Sequence, residues 1–131
     1  MTHDHKTMRS PLARIRYLGS ARSGTRHFWQ QRLTAVASIP LTLAFIVIVM
    51  SLIGSNQAGA VRVLGSPLVA ITMILFVLTY AYHMWLGMQV IIEDYVHDEI
   101  WKLASLMGNT FFCFAIALVS LYALLKISFG L

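Results

Sequence analysis

Three stretches of this 131-residue chain hold no Asp, Glu, Lys or Arg: 33–53, 66–92 and 103–125. Each reaches the roughly 20 residues that an α-helix needs to cross a hydrocarbon core of about 30 Å. Backbone groups in lipid must find partners within the protein, which leaves only helices or closed barrels. The period-2 alternation of a membrane barrel is absent, so helices are expected. A hydrophobic content of 58% and a mean hydropathy of +0.72 exclude an ordinary soluble domain. The fold class is therefore all-α: an integral membrane protein with three transmembrane helices over about 33–53, 66–92 and 103–126.

Charge sets the topology. Seven of the ten Lys and Arg residues (Lys6, Arg9, Arg14, Arg16, Arg22, Arg26 and Arg32) precede the first span. With three spans, that arm shares a side with the 93–102 loop and its Lys102, whereas Arg62 and Lys126 fall on the other. The positive-inside bias places the N-terminus in the cytoplasm, hence a multi-pass protein of a bacterial cytoplasmic (inner) membrane, with the mitochondrial inner membrane as second choice. The chain divides into a basic N-terminal arm, 1–23, on the cytoplasmic side and a three-helix transmembrane domain, 24–131. The formal charge of +5 comes almost wholly from the arm. Because the arm leads straight into a span, its expected contacts are anionic headgroups of membrane lipid or a partner subunit, and no nucleic acid.

Smaller signals refine this picture. Ala58-Gly59-Ala60 resembles a leader cleavage site, but the 32 residues before the first run and that run's length favour a retained helix. Pro40 predicts a kink in the first span, 54–65 forms a short external connection, and Ser66-Pro67 starts the second helix. The lone Cys113 reads as a small buried apolar side chain. Three helices can bury only part of their surfaces against one another, so the chain is expected to be one subunit of a larger complex.

Within the second run lies one histidine, His83, and the run ends in Glu93-Asp94-Tyr95. A titratable ring inside a membrane span is costly and marks a functional candidate. Neutral imidazole is a good axial ligand for haem iron, and one histidine supplies one bond, so a second ligand would come from another chain. Helical geometry puts His83, Gly87, Val90 and Asp94 on one face, with Gly87 leaving room for a flat macrocycle to approach. The residues alone also admit plainer readings: His83 bonded to a neighbouring helix, Tyr95 in an aromatic belt, Asp94 on a solvated loop.

The spacing His83-x3-Gly87-x6-Asp94-Tyr95-Val96 resembles the second helix of the small membrane-anchor subunits of succinate dehydrogenase. Gly24-x3-Phe28-x3-Arg32-x-Thr34-Ala35 is similar to the approach to the first helix in bacterial members. The resemblance covers about 24–130. It implies a larger helical bundle formed with a cytochrome b anchor subunit, and haem b shared between the two, with His83 as one axial ligand of the iron. It further implies Arg32 near a haem propionate, and Tyr95 and Asp94 at the ubiquinone site, Tyr95 donating to a quinone carbonyl. FAD and iron–sulfur clusters would lie on a flavoprotein subunit and an iron–sulfur subunit. Arg26 and His27 stand where some bacterial members carry a His-Asp pair, so no role passes to them. His97 matches a mitochondrial form of the motif, its role open.

The function implied is that of a membrane anchor in succinate:ubiquinone oxidoreductase, with electrons entering the aerobic respiratory chain from the tricarboxylic acid cycle. The chain lacks a Gly-rich dinucleotide loop and a cysteine cluster, so it would belong to an enzyme without holding the catalytic core. Two alternatives stand beside this: a haem-free structural anchor of a fumarate reductase-type complex, and a small proton-path or transport subunit using Asp94 and His83.

Overall fold

The computed structural model describes residues 21–130; the arm up to residue 20 lies outside them. Four helices follow in order: α1 (Ala21–Leu52), α2 (Gln57–Leu64), α3 (Pro67–Tyr95) and α4 (Glu99–Phe129). The protein is all-helical, and α1, α3 and α4 are each long and apolar enough to span a membrane.

The predicted spans underestimate helix length wherever a charge ended the apolar run. α1 is already helical at Ala21, twelve residues before the first run, and takes in 21–23 of the basic arm. A charge limits residence in lipid, not the backbone hydrogen bonds of a helix. Pro40 lies inside α1 without ending it.

The connection between the first two spans contains a helix of its own, α2. Asn56 caps α2, its side chain accepting from the Gly59 amide at 2.8 Å. At the other end, a Cβ on Gly65 would lie 2.9 Å from the Val61 carbonyl oxygen and 3.5 Å from that of Ile127. Glycine there lets α2 close tightly beside the end of α4.

α3 is the middle helix, packed against α1 on one flank and α4 on the other; among the described residues α1 and α4 do not meet. Few residues are enclosed: Ile48, Ala70, Leu86, Ile92, Cys113 and Leu124, with Leu86 at 1% exposure. Large apolar side chains such as Leu33, Val36, Ile39, Phe111 and Phe114 point outward. In water this would be an aggregating surface; in lipid, whose tails are as apolar as leucine, it carries no such penalty.

Polar and aromatic contacts fix the register instead. Between α1 and α3, Phe45 and Phe76 stack with centroids 4.4 Å apart, and the hydroxyls of Thr42 and Tyr80 are bonded. Between α3 and α4, the Trp85 indole donates to Thr110 Oγ1 at 3.1 Å, and Asn109 Nδ2 donates to the Trp85 carbonyl at 3.1 Å. Side-chain hydrogen bonds between membrane helices each contribute about 0.6–2 kcal/mol.

Candidate functional site

His83 faces α1, where Thr34 Oγ1 lies 2.9 Å from its Nδ1. The Thr34 hydroxyl donates into its own helix, 2.9 Å from the Gln30 carbonyl and 3.1 Å from that of Gln31. A hydroxyl has one proton and two lone pairs. A proton directed at the helix leaves Oγ1 to accept from Nδ1–H, the tautomer whose lone pair is on Nε2; a proton directed at Nδ1 gives the other tautomer. Gln31 Nε2 lies 3.5 Å from His83 Nε2, the outer limit of a hydrogen bond. Gln31 Oε1 is buried and unpartnered among the described residues, as is His27 Nε2.

Gly87 lies opposite the Gln31 side chain of α1. A Cβ at Gly87 would come within 3.3 Å of Gln31 Nε2, so its missing side chain makes room for the Gln31 carboxamide on α1.

Gln31, Arg32, Ala35, Val36, Ile39 and His83 line an open groove of about 420 Å³ between α1 and α3. Helix packing thus brings together Arg32 and His83, two predicted site residues far apart in sequence. The Arg32 guanidinium lies 4.9 Å above the Phe28 ring centroid, a cation–π contact that orients it. One wall of the groove is apolar, one edge carries a fixed cation, and a nitrogen with a free lone pair borders it. These suit a flat, largely apolar ligand with an anionic edge and an electron-pair acceptor at its centre.

Asp94 and Tyr95 form a separate place. Both are exposed on the last turn of α3, Tyr95 at 78%. They lie 11 and 12 residues past His83, about 18 Å along the helix for Tyr95. Sequence reading put this segment in a long loop, but the connection is only 96–98. Two neighbours cover the carbonyls that α3 leaves open: Lys102 Nζ donates to Glu93 O at 2.8 Å and His97 Nδ1 to Tyr95 O at 3.1 Å. Gln89 holds the Glu93 carboxylate at 3.0 Å. Asp98 then caps α4, accepting from the amides of Ile100 and Trp101. Asp94 and Tyr95 are presented outward on a corner whose backbone is tied down.

Sequence reading did not single out Gln31, Thr34 or Lys102 for these roles. Thr34 stood inside a quoted motif, but nothing in its spacing indicated a bond to His83.

Comparison with known proteins identifies the family. The family model described as "Succinate dehydrogenase/Fumarate reductase transmembrane subunit" matches residues 6–124. A succinate dehydrogenase hydrophobic membrane anchor subunit of Paracoccus denitrificans is 33% identical over 113 residues, 86% of this chain and 87% of that protein. A protein of the same description from Rickettsia bellii (strain RML369-C) is 33% identical over 96 residues, 73% of this chain and 74% of its own length. A succinate dehydrogenase membrane anchor subunit of Reclinomonas americana is 32% identical over 92 residues, 65% of this chain and 73% of its own. No solved structure matches the chain.

Proposed function

Since this chain belongs to the succinate dehydrogenase/fumarate reductase transmembrane subunit family, we propose that it co-ligates haem b and completes the ubiquinone site of a succinate:ubiquinone oxidoreductase. The observation that carries the reading is that His83 and Arg32 line one groove, with Thr34 Oγ1 2.9 Å from His83 Nδ1.

The residues present fit the group. His83 Nε2 would be an axial donor to the iron, and Arg32 would neutralise a propionate by a charge-assisted hydrogen bond. Haem b, when bound, supplies a one-electron iron couple whose potential its axial ligands set. The groove opens outward from α1 and α3, which suits a bundle completed by a cytochrome b subunit bringing the second ligand.

The α3 corner has the other role. Tyr95 would offer its phenol proton to a ubiquinone carbonyl oxygen, and Asp94 would line the same mouth. As the quinone takes electrons its oxygens gain negative charge, so a fixed donor stabilises the reduced forms more than the quinone itself. The tied corner holds Tyr95 in place without a rearrangement of α3. FAD and the iron–sulfur clusters would sit on flavoprotein and iron–sulfur subunits docked on the side that bears the basic arm. The positive-inside bias supports reading that side as the cytoplasmic face of a bacterial inner membrane.

Purifying the assembled complex through a tag on this chain tests the proposal. The expected result is co-purification of three further subunits and a reduced-minus-oxidised b-type band. Co-purification without that band would favour the haem-free anchor.

A further inference from the structure

The bond between Thr34 and His83 has consequences for the metal-binding nitrogen. Thr34 Oγ1 lies within hydrogen-bond distance of the Gln30 carbonyl, the Gln31 carbonyl and His83 Nδ1. If the hydroxyl served only its own helix, the lone pair directed at α3 would be spent on nothing, and Nδ1–H would face a lipid-like interior unpaired, at a cost of about 1–3 kcal/mol. The 2.9 Å contact removes both problems and, by occupying Nδ1, selects the tautomer with a free Nε2. Gln31 Nε2 reaches the same lone pair at 3.5 Å, a longer and weaker contact than that of Thr34.

We propose that Thr34 is a positioning residue for His83: it fixes the ring's orientation and tautomer and strengthens Nε2 as an iron ligand. This rests on the reading of His83 as a haem ligand. A ligating histidine is a better electron donor when its other ring N–H is hydrogen-bonded, and loss of such a partner changes metal affinity by about 10–100-fold. A hydroxyl is a weaker acceptor than a carboxylate, so the effect belongs at the lower end of that range. Stronger donation favours ferric over ferrous iron. Removing the acceptor should therefore shift the balance toward ferrous iron and raise the haem midpoint potential.

Redox titration of haem b in the assembled complex tests this, comparing wild type with Thr34→Val, Thr34→Ser and His83→Ala. Thr34→Val keeps the β-branched shape and loses the hydroxyl. It should move the ferrous-to-ferric ratio at fixed potential up to about tenfold, equivalent to about 59 mV for one electron. Thr34→Ser restores the hydroxyl and should titrate as wild type. If Thr34→Val does not assemble, Thr34→Ala carries the same expectation on a residue with higher helix propensity. Loss of low-spin haem in His83→Ala, together with an unshifted potential in the hydroxyl-free variant, would overturn the positioning role while leaving the ligand in place. Low-spin haem retained in His83→Ala would overturn the ligand reading and, with it, this role.

Discussion

Lys102, in the first turn of α4, donates from Nζ to the carbonyl oxygen of Glu93 in the last turn of α3 at 2.8 Å. A cation at a helix C-terminus contributes about 0.3–1 kcal/mol. Here it ties the first turn of one spanning helix to the last turn of another, one residue before Asp94. Lys102→Met keeps most of the stem and removes the charge and donor. It should lower succinate–quinone turnover about two- to fivefold through a looser Tyr95 corner, with the haem spectrum unchanged. Wild-type turnover would show that the corner holds without the lysine.

Tyr95→Phe removes one oxygen and almost no volume from a residue that packs against little in this chain. Loss of one positioned donor costs about 10²-fold where charge develops. Quinone reduction should fall by that order, while succinate oxidation with a soluble acceptor and the haem spectrum stay near normal. Unaltered quinone reduction would remove Tyr95 from the site.

Arg32→Leu replaces the cation on the His83 groove with an apolar group of moderate size. Loss of a positive charge beside the haem favours ferric iron, so the midpoint potential should fall by tens of millivolts, the order expected of one partly screened charge. The direction is opposite to that expected for Thr34→Val. A shift of the same sign in both would mean that one of the two residues acts only through packing.

Asn109→Ala tests the other flank of α3. Asn109 donates to the Trp85 carbonyl and accepts from the Cys113 thiol at 3.4 Å. Its loss should weaken the α3–α4 pairing by about 1 kcal/mol, seen as a lower unfolding midpoint in denaturing detergent. His83 lies on the opposite flank, so the haem spectrum should not change. An unaffected midpoint would show that apolar packing around Leu86 and Cys113 is enough.

The three spans were legible because lipid imposes a length and a polarity on any segment that crosses it. Their ends were not. Arg32 bounds the first apolar run but does not interrupt α1, and α2 forms within the connection 54–65. The capping role of Asp98 shortened the inner connection to 96–98, and the sequence reading had placed Glu93, Asp94 and Tyr95 within that loop. At the site, His83 stood out because an imidazole is rare in such surroundings. Thr34 did not, because a threonine bonded to its own helix resembles any other in α1; its second bond depends on how α1 and α3 pack, which spacing along one helix does not encode. Gly87 stood out for the space it leaves; that Gln31 of α1 borders this space depends on helix packing.

The electron paramagnetic resonance spectrum of the purified complex carrying His83→Ala tests the central claim most directly. The three apolar helices should still insert and the partner subunits still co-purify, so the comparison is made in an assembled complex. With Nε2 removed, the low-spin signature of a haem held by two imidazoles should be lost or replaced by a high-spin signal. An unchanged bis-imidazole signature in the assembled variant would contradict the assignment of His83 to the iron.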